Sequence, residues 1–216
     1  MIKVRINASK SKGMIYLIAI IPFIFNDFSN IYGSSYSQWV LIDYACRLVV
    51  LGFVAAMVRR RNLKPADLFL SFRDKGALVY WTLLLAAMSF GYHLASGPWL
   101  APLDGVWAVS SVAYDRGSAL FALDMTLGLG LVAVSEEIVF RGVALSALKP
   151  FTRNPVVILL VSSLIFALIH WSTGLGNILD SFAYGLLFMA VTLRTGSIVP
   201  ATVIHYCLDF YLLARA

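Results

Sequence analysis

The sequence predicts an all-α fold: a polytopic transmembrane bundle of about seven helices with an intramembrane polar cavity. Three observations predict it. Of the 216 residues, 60% are hydrophobic and only 13% charged, against roughly 25% charged in ordinary soluble domains. Several separate apolar runs approach or exceed the length of about 18 residues that a helix needs to cross a hydrocarbon layer about 30 Å thick. Ionisable residues recur inside those runs, where each costs roughly 2.5 to 3.5 kcal/mol and calls for a partner, an aqueous cavity or a function. The same composition excludes a soluble globular domain, a disordered chain, a disulfide-rich scaffold and a nucleic-acid-binding module.

The N-terminal stretch MIKVRINASKSKGMIYLIAIIPFIF has the basic and apolar regions of a secretory signal but no small-x-small cleavage site where one is expected, so it reads as a retained first span. Further spans are expected near 39–58, 76–95, 118–148, 155–171, 178–193 and 197–213, after a first one near 14–32. Gly, Pro, Ser and charge clusters separate them. The fourth is too long for one simple crossing, so it leaves the membrane, kinks near Gly128–Gly130 or divides. With the N-terminus in the cytoplasm, the inner side holds Lys3, Arg5, Lys10, Lys12, Arg59, Arg60, Arg61, Lys64, Arg73, Lys75, Lys149, Arg153 and Arg194. Only Arg116 and Arg215 then lie outside, a strong positive-inside bias that predicts an N-in, C-out topology.

Segment 62–75 mixes Leu and Phe with charges and reads either as an interfacial segment or as a solvated loop. The outer loop 96–117, with Pro98, Trp99, Pro102 and Trp107, is expected to rest on the outer interface through its aromatics. Cys46 and Cys207 fall within apolar runs and read as buried small hydrophobes rather than a disulfide. No repeat or second domain is evident. Residues 1–216 form a single membrane domain, in which 1–117 supply spans and an outer loop of unassigned role and 118–213 form the candidate core.

The intramembrane ionisable residues concentrate in that second part. The fourth span contains Ser135-Glu136-Glu137-Ile138-Val139-Phe140-Arg141-Gly142, the fifth ends Phe166-Ala167-Leu168-Ile169-His170, and the seventh contains His205-Tyr206-Cys207-Leu208-Asp209. Successive helical residues point about 100° apart, so the two glutamates cannot both face one cavity squarely. Arg141 is four residues beyond Glu137 and can pair with it along one face, which gives Glu137 and Arg141 a structural role. Glu136 is about 140° from Arg141 and is left as the free carboxylate, without that cation. Asp209, four residues after His205, can orient its imidazole. At about 1.5 Å per residue from the inner ends, Glu136, His170, His205 and Asp209 fall at roughly 18, 23, 12 and 18 Å. They can share one level and activate water. Asp43 and Arg47 form another i, i+4 pair, read as structural. Asp27 is a further intramembrane charge. His93 is expected at the interface, outside the site. Asn177 and Asp180 either cap the sixth helix or, for Asn177, reach the cavity mouth.

EExxxR, FxxxH and HxxxD in this order on hydrophobic segments resemble the CAAX-protease and bacteriocin-processing family of intramembrane proteases. The resemblance covers roughly residues 118–213. It implies a helical bundle with a conical cavity, with Glu136 activating water for peptide-bond hydrolysis together with His170. It further implies that the pair at His205 and Asp209 lines the site and helps hold the oxyanion. Where this chain has Asp209 the family often has Asn, and an ionised Asp can only accept hydrogen bonds. Asp209 is therefore either protonated or the residue that orients His205, whose ring N–H becomes the donor; the second is favoured.

No cofactor is favoured. Zinc stays open as an alternative, with Glu136, His170 and His205 as ligands, although HExxH is absent. A proton-coupled transporter and a non-catalytic immunity or scaffold protein remain rival functions. The expected partners are a membrane-anchored peptide or protein substrate and the lipid bilayer. The expected location is a bacterial inner membrane, and the substrate classes implied are prenylated C-terminal peptides, bacteriocin or signalling-peptide precursors, and C-terminal sorting tails.

Overall fold

The computed structural model describes residues 2–32, 35–110 and 112–215, with side chains from residue 11 onward. Lys3, Arg5 and Lys10, counted above among the inner charges, lie outside the described side chains. Seven helices are present among the described residues: α1 Ile2–Tyr32, α2 Tyr36–Arg59, α3 Lys75–Leu100, α4 Ala119–Leu148, α5 Pro155–Leu168, α6 Leu175–Thr195 and α7 Val199–Arg215. Five of them, α1 to α4 and α6, are long and apolar enough to cross a membrane. The predicted polytopic bundle is thus borne out, with α5 and α7 shorter than the rest.

Local chemistry sets the starts of the helices. Ser35, Asp74, Ser118 and Asn154 accept backbone N–H bonds from Gln38, Ala77, Phe121 and Val156, which satisfies donors that have no partner within the first turn. Pro155 occupies the first position of α5, where no N–H is needed. Helix α6 stops at Gly196, whose φ of 67° is left-handed.

Helix α4 does not divide and is continuous over Ala119–Leu148. It stays one rod and absorbs its length through two π turns, Asp124–Gly128 and Ile138–Val143. The first ends where a kink was expected: a Cβ on Gly128 would collide with Asp124 Oδ1 and the Tyr44 hydroxyl. The second follows directly on Glu136 and Glu137. Through this turn and just past it α4 is enclosed, with Val139, Phe140, Val143 and Ala144 fully buried.

Phe140 anchors one core, packing on Tyr16 and Phe23 of α1 and Phe166 of α5. Leu85 of α3, Tyr184 and Phe188 of α6 and Ile204 and Leu208 of α7 form a second. The glutamates lie between the two. Exposed apolar residues on α1, such as Met14, Leu17, Ile21, Phe25 and Phe28, recur every three or four positions and form a lipid-facing stripe.

At the end of the bundle that carries Lys12, segment 62–74 is neither an open loop nor a surface helix. It folds as a 3-10 turn, Pro65–Leu68, whose Asp67 accepts from Lys64 N–H at 2.8 Å and pairs with Lys12 Nζ at 2.7 Å. Ser146 Oγ donates to the Asp67 carbonyl, Ile198 N–H to the Phe69 carbonyl and Ser197 Oγ to the Ser71 carbonyl. The segment therefore plugs this end and ties α1, α4 and the start of α7 together. Apolar residues and charge-satisfied turns alternate too closely there for a single amphipathic stripe.

At the other end, segment 101–117 docks on the α5–α6 turn. Val109 and Ser110 N–H donate to the Ser172 carbonyl at 2.9 and 3.0 Å, and Leu175 N–H donates to the Val106 carbonyl at 2.8 Å. Gly174, at φ 105°, has no room for a Cβ against the Asp104 carbonyl. Trp99 and Trp107 are exposed as expected of interfacial aromatics, and Tyr114, also exposed, packs one side of its ring against Tyr36, Trp39 and Phe121. Cys46 and Cys207 are free thiols. Cys207 is exposed on the outer face of α7, so the expectation of two buried thiols holds for neither fully.

Two predictions test this scaffold. A Cβ on Gly142 would sit 2.6 Å from the Leu68 carbonyl, so Gly142→Ala is expected to cost about 1–3 kcal/mol, read as earlier thermal unfolding in detergent. Partial burial opposes ionisation of Asp67, but Lys12 and the Lys64 N–H hold its carboxyl below the ordinary value. Its contribution is then present above the ordinary carboxylate range of about 4 and lost as pH falls through the lowered value. Hydrogen exchange over residues 64–71, corrected for intrinsic rates, should accelerate on acidification in the wild type and already be fast at neutral pH in Asp67→Asn.

Candidate active site

A cavity of about 450 Å³ runs from the middle of the bundle toward the end that carries segment 101–117, of which Tyr114 lines it. Glu136, His170, His205 and Asp209 all line it. Each comes from a different local device. Glu136 is set at the last regular turn of α4 before the second π turn, and His205 and Asp209 project from successive turns of α7. His170 follows the end of α5 and caps the short turn Trp171–Thr173. Asn177 and Asp180 also line the cavity, whereas Glu137, Arg141 and His93 do not.

Glu136 is 3% exposed, and its two oxygens have different surroundings. Oε1 accepts from Arg47 Nη1 at 2.8 Å. Oε2 accepts no hydrogen bond and lies 3.6 Å from His205 Nε2. The expectation of a carboxylate without a cation is therefore corrected. Arg141 is turned away, but Arg47 arrives from α2, a helix whose contribution no spacing within α4 could reveal. Arg47 also donates through Nε to both oxygens of Asp43 at 2.9 and 3.0 Å, and Asn26 Nδ2 donates to Asp43 Oδ1 at 2.7 Å. The Asp43–Arg47 pair is present as expected; its reach to Glu136 was not foreseen.

His205 is held differently from the expectation. Its Nδ1–H donates to Glu137 Oε1 at 2.9 Å, while Nε2 stands 3.4 Å from Asp209 Oδ2. Glu137 on the facing helix, rather than Asp209 on its own, fixes the ring. Glu137 does keep Arg141 beside it, with Nε 3.2 Å from Oε2 in an ion pair that lacks hydrogen-bond geometry. The Arg141 guanidinium lies over the Phe166 ring at 4.1 Å and near the Phe188 ring at 5.3 Å, so the aromatic faces solvate its charge. Glu136 thus looks into the cavity and Glu137 lies behind it, as the 100° step between neighbours requires.

His170 donates through Nδ1–H to the Phe166 carbonyl at 2.9 Å, which leaves Nε2 to accept. The turn that follows is fastened to α1. Asp27 accepts from Ser172 N–H at 3.0 Å and Ser172 Oγ at 2.8 Å, Asn30 bonds both Asp27 and Ser172, and Trp39 Nε1 donates to Asn30. Farther out, Asp124 accepts from the Tyr36 and Tyr44 hydroxyls. Asn26, Asp27, Arg47 and Asp124 are the lining residues that motif reasoning did not assign to the site. Their one signal in the sequence is a polar or charged group inside an apolar span. Among the described residues, no group of three or more His, Cys, Asp or Glu is placed to hold a metal ion.

Arg141→Ala would leave Glu137 as a buried charge facing only His205, a change that costs about 3–5 kcal/mol. A large fall in detergent melting temperature is expected, and an unchanged one would show that Arg141 carries no stabilising charge.

Residues 118–211 match the family described as type II CAAX prenyl endopeptidase, Rce1-like. No curated protein and no solved structure matches the chain. The match falls on the helices that carry EExxxR, FxxxH and HxxxD, and it bears out the resemblance those motifs suggested. The chain is an integral membrane protein whose residues 118–211 are similar to the CAAX-protease family of peptide-bond hydrolases.

Proposed function

We propose that the chain is an intramembrane endopeptidase of glutamic type, working without a metal, that cleaves a membrane-associated peptide or C-terminal tail. One observation carries this reading: a buried carboxylate in the cavity wall with one oxygen bound to a cation and the other without a hydrogen-bond partner, 3.6 Å from an imidazole. Arg47 keeps Oε1 occupied, so Oε2 is the base. It takes a proton from water, the resulting hydroxide adds to the scissile carbonyl, and a tetrahedral oxyanion forms. His205 stabilises that charge through Nε2–H, with Glu137 accepting from Nδ1 and holding the ring in place, as a carboxylate holds an imidazole in hydrolytic triads. As the C–N bond breaks, the proton taken by Glu136 passes to the leaving nitrogen, with His170 Nε2 as a second acceptor at the cavity wall. The products are a carboxyl and an amine. An ionised Asp209, its Oδ2 3.4 Å from His205 Nε2, cannot itself donate to the oxyanion. The N-terminus is placed in the cytoplasm, a reading supported by the crowding of Lys and Arg at one end of the bundle, and the membrane is taken to be a bacterial plasma membrane.

Comparing membrane peptides by mass spectrometry between cells expressing the wild type and Glu136→Gln tests the activity. New C-termini are expected only with the wild type, and the same fragments from a folded Glu136→Gln protein would refute the assignment. Strong chelators should leave cleavage unchanged; loss that zinc restores would move Glu136, His170 and His205 to metal ligands. Asp43→Asn with Arg47→Gln removes two opposite buried charges together but leaves Glu136 without its cation, which frees Oε1 and lowers the detergent melting temperature. Cleavage is expected to slow about a hundredfold, the order of loss caused by misplacing a catalytic group by about 1 Å.

A further inference from the structure

The cavity extends from mid-bundle toward one end of the bundle, and the basic residues mark the other. The residues that line its wide part lie at the ends of helices: Asp27 and Asn30 close α1, Trp39 opens α2, Asp124 opens α4, Asn177 opens α6 and Leu213 closes α7. Glu136, His205 and Phe166 form its floor near mid-helix. Lys12, Asp67, Lys149 and Ser197 gather at the opposite end, where segment 62–74 seals the bundle. That end also carries Arg59, Arg60, Arg61, Lys64, Arg73, Lys75, Arg153 and Arg194, while among the described residues only Arg116 and Arg215 lie at the cavity's end.

We infer that the active-site cavity opens to the outer face of the membrane, and that its substrate is a peptide segment presented in the outer leaflet or just beyond it rather than a prenylated cytoplasmic tail. This inference rests on the protease reading for its substrate, and on the positive-inside rule for its side. The bias is counted over short loops and helix ends, the setting in which Lys and Arg set orientation. A prenylated C-terminal cysteine is anchored in the inner leaflet with its polar tail in the cytoplasm. To reach Glu136 it would have to pass segment 62–74 and the enclosed half of α4. Alternatively it would have to carry charged groups across the hydrocarbon at several kcal/mol each. A translocated precursor peptide, or the membrane-spanning tail of a protein exported through the membrane, reaches the open end directly. Among the three substrate classes that the motifs suggest, the geometry favours these two.

Two measurements in bacterial cells expressing the full chain test it. In a Cys46→Ser, Cys207→Ser background, Asn177→Cys places a thiol at the cavity mouth and Lys149→Cys one at the sealed end; Leu213→Cys serves at the mouth if Asn177→Cys does not fold. A membrane-impermeant maleimide is expected to label the mouth thiol in right-side-out vesicles and the Lys149→Cys thiol only in inside-out vesicles. The reverse pattern overturns the inference. In the proteomic comparison of wild type with Glu136→Gln, cleavage sites are expected in the outer half or at the outer flank of spanning segments. Sites at cytoplasmic flanks, or next to prenylated cysteines, overturn the substrate class even where the labelling agrees. Absence of any Glu136-dependent site refutes the protease reading and the substrate class with it, while the labelling still decides which face the cavity meets.

Discussion

Keeping a carboxylate ionised in the middle of a hydrocarbon layer is the constraint around which this bundle is arranged. The structure meets it with an unbroken run of polar contacts. Asn26 holds Asp43, Asp43 holds Arg47, and Arg47 holds one oxygen of Glu136; His205 stands beside the other and is held in turn by Glu137. Removing any member strands a charge that costs several kcal/mol to leave unpaired. Four helices, α1, α2, α4 and α7, are thereby fixed in rotation as well as in position. Greasy packing alone, which slides and turns easily against lipid of the same polarity, would not fix them so.

The arrangement also explains why the chain needs more than its family-matched part. Residues 118–211 carry the two glutamates and both histidines, yet the cation on Glu136 comes from α2 and the anchor of the turn after His170 comes from α1. Helices α1 and α2 act as a brace that orients groups which α4, α5 and α7 merely carry. The two π turns of α4 serve the same end. Each widens one turn of the helix, the first beside Asp124 and the second just after the glutamates, and such local widenings recur at functional sites in helices.

Much of this was legible in the sequence, for identifiable reasons. Span count followed from run length, because a membrane permits few alternatives to helices there. The separation of Glu136 from Glu137 followed from the 100° step, and Glu137 beside Arg141 from i, i+4 spacing. What could not be read were contacts between helices distant in sequence. Nothing in the order of residues says that Arg47 reaches Glu136 rather than stopping at Asp43, or that Glu137 rather than Asp209 holds His205 Nδ1. Segment 62–74 escaped for another reason. Its partners, Lys12, Ser146 and Ser197, are single polar residues in three separate helices, too sparse to leave a pattern.

Ser172 has two loyalties. Its side chain and N–H are bound to Asp27, while its carbonyl receives Val109 and Ser110 from the segment beside the cavity mouth. The residue two places after His170 is thus clamped from both sides, and the rim of the mouth and the setting of the imidazole share one rivet.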